Sequence, residues 1–279
     1  MNEICLNGKI LNGNESVLSA TNRSFRYGDA LFETMKLTKG KILLSHYHFE
    51  RLFAGLSLMK IQIPQLFTIE KINSEIIELC RRNKCEDLAR VRLTVFRSDG
   101  GLYESKNSLQ YLIESWPLSD SKNQLNENGL VIDIFPDARK SCDKFSNLKS
   151  ANYLPYVMAA IYAKENKLND CLVLNIHNRV CDASIANIFW IENDVIYTSP
   201  LSEGCVAGVT RKYLLERLQG TRLKVQERVC EINDLENADE IFLTNAIQGI
   251  RWVKQFRNKK YTNRIVREIN DLLPQMISI

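Results

Sequence analysis

Only three histidines occur in 279 residues, so a histidine-based catalytic network has little material. His46 and His48 stand two positions apart, point to different faces of a helix and make no helical metal pair. Surface or packing roles are expected for them and for His177. The chain has no GxxxxGK[ST] loop, no GxGxxG after a strand, no HExxH and no GxSxG, which removes the commonest phosphate-loop, dinucleotide, zinc-protease and serine-hydrolase readings. Its eight cysteines are scattered without a CxxC pair, which excludes a zinc knuckle or dithiol motif. Cys171 and Cys181, in strand-like apolar segments, are expected as buried reduced thiols. No metal site is expected. A formal net charge of +4, without a basic run and interleaved aromatics, does not support a nucleic-acid partner. No run approaches the ~20 apolar residues of a membrane span. MNEICLNGKI lacks a basic segment followed by an apolar core. A cytoplasmic, reduced chain with no membrane partner is expected.

What is present is the balance of an ordinary globular protein, 45% hydrophobic and 25% charged, of a length that favours two domains. The residues from Ile4 to Ile10 alternate about an Asn7-Gly8 turn signal and predict a hairpin. Strands are predicted over Ala30–Leu37 and, after Lys39-Gly40, over Lys41–Leu44. Leu52, Phe53, Leu56 and Met59 then fall at helical spacing, with Ser45 as a plausible N-cap. Glu70–Arg82 predicts a second helix, and Ala89–Phe96 and Leu109–Ser115 two more strands. The polar stretch PLSDSKNQLNEN divides the chain into a domain over 1–116, a connection over 117–128 and a domain over 129–279. In the latter, a strand over Leu130–Phe135 precedes a helix over Tyr153–Glu165, with Asn152 as cap and Pro155 in its first turn. Strands over Cys171–Ile176, Arg179–Asp182, Asn187–Glu192 and Val195–Thr198 form a meander about His177-Asn178 and Asn193-Asp194. A helix over Thr210–Leu218 framed by Gly208 and Gly220, a strand over Ile241–Thr244 and a helix over Arg264–Leu273 close the chain. Antiparallel meanders with segregated helices favour an α+β fold.

Three features carry chemistry: a lysine before a helix (Lys149), an acid ending a strand (Asp182) and a GVTR turn opening a helix. Singly, each has a plainer reading as a solvated lysine, a turn residue and a loop-to-helix junction. A helix N-terminus nevertheless offers free N–H groups to a phosphate. Together KSANYLPYVMAA (149–160), DASIANIFWIENDVIYTSP (182–200) and GCVAGVTRKYLLERL (204–218) resemble the cofactor-lysine, acidic-strand and phosphate-turn segments of the class IV aminotransferases. YGDALFET (27–34) and HFERL (48–52) resemble two further segments of that family, so the likeness covers most of the chain.

The resemblance implies a fold-type IV enzyme, with a small N-terminal α/β sandwich and a larger β-rich, pseudo-barrel C-terminal domain with helices. It implies pyridoxal 5'-phosphate (PLP) as cofactor, joined to Lys149 as a Schiff base, with Lys149 then shuttling the substrate α-proton. Asp182 would sit beside the pyridine nitrogen and favour its protonated form. The family usually has glutamate there, one methylene longer, so the ring shifts or a water bridges. Arg51 would supply charge to the phosphate, the N–H groups of Val209 and Thr210 its cradle, and the Asn245 and Ala246 turn further backbone donors. Tyr153 lies near the position of a tyrosine on the cofactor's phenolic oxygen; a packed helix-start tyrosine is the plainer reading.

Three branches stay open: branched-chain-type transaminase, D-amino-acid transaminase and aminodeoxychorismate lyase. Tyr27 and Phe32 resemble pocket residues of the first branch. Arg92 resembles its carboxylate-binding arginine, against a plain strand-edge role. ANIFW, TNAIQGI and FRSDGGLY lean toward the lyase, but Leu102 stands where D-amino-acid enzymes and lyases tend to carry arginine. The expectation is an aminotransferase acting on a small, branched-chain-like amino acid and a 2-oxo acid. The lyase, yielding pyruvate and 4-aminobenzoate, is the alternative. A non-catalytic PLP-binding protein is the third reading, which the presence of Lys149 disfavours. A homodimer is implied by the family.

Overall fold

Asn7 and Gly8 take positive φ, 51° and 83°, as a two-residue hairpin turn matched to strand twist requires. They join β1 (Glu3–Leu6) to β2 (Lys9–Asn12). The hairpin opens a computed structural model that describes residues 2–103, 107–119 and 125–272. The chain divides into two compact units, Met1–Lys122 with Leu148–Asn152, and Asn123–Asn147 with Tyr153–Ser278. Of the connection expected at 117–128, residues 120–124 lie outside the described residues.

In the first unit the hairpin is followed by α1 (Arg23–Tyr27), β3 (Ala30–Thr38), β4 (Lys41–Ile42), α2 (Ser45–Leu58), α3 (Ile69–Arg82), β5 (Leu88–Arg97) and β6 (Leu109–Pro117). The strands form one antiparallel sheet ordered β2-β1-β6-β5-β3-β4. Period-2 alternation sends Leu31, Met35 and Leu37 of β3 and Val91, Leu93 and Val95 of β5 to one face. There α2 contributes Phe49, Leu52 and Leu56, and α3 contributes Ile72, Ile76 and Leu79. The cap of α2 differs from expectation: Leu44 holds that place in the left-handed region (φ 54°) without a side-chain bond, and Ser45 is already helical. The sharp entry also shortens β4 to Lys41–Ile42. Thr68 caps α3, its hydroxyl accepting from the Lys71 N–H at 3.2 Å.

The segment Leu148–Asn152 runs along β3. The Phe32 N–H donates to the Lys149 carbonyl and the Ala151 N–H to the Ala30 carbonyl, both at 2.9 Å, about an isolated bridge between Leu31 and Ser150. Leu148 packs with the first unit's core. Backbone pairing, not side-chain contact alone, therefore fixes Lys149 against β3.

The second unit comprises β7 (Leu130–Lys140), α4 (Leu154–Glu165), β8 (Asp170–Asn175), β9 (Val180–Ala183), β10 (Asn187–Glu192), β11 (Val195–Thr198), α5 (Val209–Arg217), β12 (Lys224–Glu227), α6 (Ile232–Asn237), β13 (Glu240–Asn245), β14 (Gly249–Phe256), β15 (Lys259–Lys260) and α7 (Arg264–Leu272). Its sheet runs β12-β11-β10-β13-β14-β7-β8-β9, with β15 on β14. The sheet is mixed, and the four-strand meander expected over residues 171–198 is split into two antiparallel hairpins, β8-β9 and β10-β11, that are not neighbours in it. β7 and β8 pair parallel across α4, β11 and β12 pair parallel across α5, and β14 pairs parallel with β7. A parallel pair needs a long crossover, and α4 and α5 supply two of them. β8 is buried along its whole length because Leu172 and Leu174 face one apolar cluster and Cys171 and Val173 another. The expected cap Asn152 is displaced by Tyr153, which makes no side-chain cap bond. The Glu240 carboxylate caps α7 from across the unit, accepting from the Ile265 and Val266 N–H groups at 3.0 and 2.9 Å.

Candidate active site

β3 presents its second face to a group of charged residues in the first unit. The Phe32 ring lies under two cations: Lys149 Nζ stands 4.6 Å and Arg92 Cζ 3.9 Å from its centroid, close enough for cation–π attraction. Arg92 reaches this position because β5 pairs with β3 in register, Arg92 opposite Thr34. Its Nε also donates to the Thr94 hydroxyl at 3.2 Å. Tyr27 ends α1 and is partly exposed, with the Arg23 guanidinium 5.4 Å from its ring centroid.

The next residue of β3, Glu33, points to the core side and is buried. Arg51 on α2 forks onto it, Nε to Oε1 at 2.8 Å and Nη2 to Oε2 at 2.5 Å. His48, one turn earlier, sets Nδ1 2.6 Å from Oε2. Burial works to raise the Glu33 carboxyl, but Arg51 and His48 outweigh it and hold the pKa down to about 2. Burial pushes His48 below its usual value against the pull of Glu33, with the Arg51 and Lys149 charges adding to the decrease. His48 is thus a core residue bound to a carboxylate, and the surface role does not apply to it. Glu33 carried no distinguishing signal in the sequence beyond its place in YGDALFET.

In the second unit, Asp182 owes its direction to a β-bulge. Val173 pairs with Asp182 but Leu174 with Val180, leaving Cys181 as the extra residue. The bulge breaks alternation, so Cys181 joins the apolar cluster containing Tyr156 of α4 while Asp182 also meets Tyr156. Asp182 Oδ2 accepts from the Tyr156 hydroxyl at 2.7 Å, the Val206 N–H at 2.8 Å and Lys140 Nζ at 3.4 Å. Oδ1 accepts from Asn187 Nδ2 at 2.8 Å and has capacity for one more donor. Burial raises the Asp182 carboxyl, while Lys140, Tyr156 and Val206 pull the other way. The Tyr153 ring lies tilted against Tyr156, centroids 4.5 Å apart, and its hydroxyl donates to the Ser184 carbonyl at 3.2 Å. Tyr156 and Lys140 were not picked out in the sequence. A tyrosine on an apolar helix reads as core, and nothing local links Lys140 to Asp182.

Asn187 also donates to the Val206 carbonyl at 2.9 Å, bracing the turn before α5. Gly208 opens that helix without a side-chain cap, and a Cβ there would fall 1.8 Å from Asn187 Oδ1. Only glycine permits this approach. Val209 and Thr210 start α5, and the Thr210 Oγ1 is buried without a hydrogen-bond partner, as is the Thr244 Oγ1 of β13. Thr244 pairs with Asn187 across the sheet. Asn245 closes an Asx turn, its Oδ1 accepting from the Ile247 and Gln248 N–H groups at 3.0 and 2.8 Å, and Ala246 follows in that turn. An uncapped helix start, a glycine without room for a side chain and two unanswered hydroxyls have the donor chemistry of a phosphate site, so these residues fit a phosphorylated cofactor.

The sequence profile described as Amino-transferase class IV matches residues 30–256. A putative branched-chain-amino-acid aminotransferase of Methanocaldococcus jannaschii is 28% identical over 280 residues, covering 98% of this chain and 94% of that protein. Aminodeoxychorismate lyase of Bacillus subtilis is 31% identical over 262 residues, covering 88% and 84%. Among solved structures, a hypothetical aminotransferase of Mycobacterium tuberculosis in its PLP-bound form superposes with a TM-score of 0.84 at 17% identity, covering 99% of this chain and 98% of that one. At that identity the likeness carries the fold, which is the two-domain α+β fold of these enzymes. Family and neighbours together imply pyridoxal phosphate as cofactor. No helix among the described residues is long and apolar enough to cross a membrane. On the span of the profile and the breadth of these likenesses, the chain belongs to the class IV aminotransferase family.

Proposed function

We propose that the protein is a PLP-dependent aminotransferase that moves an amino group between a branched-chain-like amino acid and a 2-oxo acid. The observation that carries this reading is the joint placement of Lys149 Nζ and the Arg92 guanidinium against the Phe32 ring. An amine and a carboxylate-binding cation on one aromatic surface suit a substrate whose amino and carboxyl groups share a carbon. Pyridoxal phosphate, when bound, supplies the aldehyde that bonds the amine and the ring that accepts the electron pair left on Cα. Lys149 Nζ would be the amine that holds the cofactor and the base that takes the substrate Cα proton. Arg92 binds the substrate carboxylate in a fork, and Phe32 and Tyr27 enclose an apolar side chain. Arg51 neutralises phosphate charge, and the Val209, Thr210, Asn245 and Ala246 backbones donate to phosphate oxygens. Asp182 would favour a proton on the pyridine nitrogen, and Tyr153 would orient the phenolic oxygen.

A homodimer is part of this reading. Leu154, Val157, Met158 and Ile161 recur at helical spacing on α4 and are all exposed, an apolar stripe suited to a second copy. Eight free cysteines, seven of them buried, fit a reduced cytoplasmic setting.

The test is stoichiometric. Given one branched-chain amino acid alone, the purified protein converts one equivalent of cofactor to its amine form and stops; a 2-oxo acid restores turnover. The likeness to the B. subtilis lyase favours a second reading. Continuous pyruvate release from aminodeoxychorismate without a 2-oxo acid would establish that reading instead. Lys149→Ala should fold normally yet lose the visible absorption of the cofactor-bound protein; unchanged absorption would remove Lys149 from its role.

A further inference from the structure

His48 is a deeply buried imidazole that the chemistry above does not use, with 1% of its surface exposed. Its Nδ1 lies 2.6 Å from Glu33 Oε2, while Nε2 is buried without a hydrogen-bond partner. That asymmetry selects a tautomer: a proton on Nδ1 serves the carboxylate, whereas a proton on Nε2 would be an unanswered buried donor. The charged groups facing the ring are Glu33, Arg51 and Lys149.

Glu33 in turn is gripped on three sides, by Arg51 Nε, Arg51 Nη2 and His48 Nδ1. Without His48, Oε2 keeps a single donor and the carboxylate is free to rotate about its last torsion. The guanidinium forked onto it would rotate too. A two-point fork fixes the two groups to each other; a third donor anchored elsewhere on α2 fixes both to the fold.

We propose that His48 is a positioning residue that, by donating from Nδ1, locks the Glu33 carboxylate and so sets the direction in which the Arg51 guanidinium faces the cofactor phosphate. This rests on the reading of Arg51 as the phosphate cation. The arrangement gives His48 no contact with substrate and no part in proton transfer.

The test compares pyridoxal 5'-phosphate with pyridoxal, which lacks the phosphate. Equilibrium binding of each to the cofactor-free protein is measured by tryptophan fluorescence in wild type, His48→Phe, His48→Asn and Arg51→Gln. His48→Phe keeps the bulk but removes the donor, and should weaken pyridoxal phosphate about tenfold or more while leaving pyridoxal within about twofold, as expected for losing a hydrogen bond to a charged group. His48→Asn, which retains an N–H donor at that branch, should recover most of the preference. Equal weakening of both ligands in a folded His48→Phe would mean packing alone and overturn the inference, as would an unchanged preference. If His48→Phe does not fold by circular dichroism, 15N shifts of the unaltered protein decide: a proton on Nδ1 is expected, and one on Nε2 overturns the proposal. Should Arg51→Gln keep the phosphate preference, the Arg51 reading itself fails. A preference lost in Arg51→Gln but kept in folded His48→Phe removes only the role of His48.

Discussion

At the scale of single residues, the site depends on close approaches that tolerate little change. Gly208 is the sharpest case, since a methyl group would meet Asn187 Oδ1 at 1.8 Å. Asn187 cannot retreat without releasing Asp182 and the Val206 carbonyl. Gly208→Ala should therefore lower stability by about 1–3 kcal/mol and weaken cofactor binding, read by denaturant titration and by PLP titration. The Glu33 pair gives a pH signature. Glu33 titrates at about 2 in the fold against an ordinary 4.5, so its stabilisation is complete above about 4.5 and is lost as pH falls toward 2. His48 is held below its ordinary 6.5, so acid favours the unfolded chain as pH drops beneath that value. Both act in one direction. The midpoint temperature should fall from about pH 6.5 downward, and His48→Asn should remove the upper part of that decline and leave the lower. A flat profile between pH 6 and 3 would contradict both assignments.

Secondary-structure elements show what could be read from the sequence and what could not. Turns were legible because their residues carry the geometry: Asn7-Gly8, Lys39-Gly40, Asn178 and Asn193-Asp194 all take positive φ. Long alternating strands such as β3 and β5 were legible for the same local reason. β14 was missed because Arg251 and Lys254 interrupt the apolar pattern of GIRWVKQF, and β12 because a sheet-edge KVQE offers no buried face. α1, of five residues, is too short for a period. Parallel pairings had no signal, since their partners meet only through tertiary folding. For the candidate site, Lys149, Asp182 and GVTR could be singled out from the sequence as a pattern. The partners of Arg51 (Glu33 and His48) and of Asp182 (Lys140 and Tyr156) could not, because a charged residue reads as surface, and a tyrosine as core, until a partner distant in sequence is seen. Glu240 belongs to the same class. Its carboxylate serves the start of α7, so Glu240→Ala should cost about 1–3 kcal/mol and loosen the protection of the Ile265 and Val266 amides in hydrogen exchange. Normal protection in that variant would show that the cap is dispensable.

At the scale of the whole molecule, α4 carries an apolar stripe suited to a partner. Its exposed stripe of Leu154, Val157, Met158 and Ile161 should be covered by a second copy. Val157→Glu combined with Met158→Glu should shift the protein to monomer in light scattering at micromolar concentration. Retention of the dimer would move the interface elsewhere. The same helix contributes Tyr156 to Asp182 from its buried side, so a monomeric variant that still folds should keep the Asp182 environment and its tyrosine ionisation.

The strip Leu148–Asn152 belongs with the first unit, although the chain before and after it belongs to the second. The polypeptide thus leaves the first unit, returns for five residues and departs again. Cutting the gene after codon 122 would not yield an autonomous half: the product would lack the stretch that lines β3 and, with it, the amine at position 149. Exchanging first units between relatives would fail for the same reason unless those five codons travelled along.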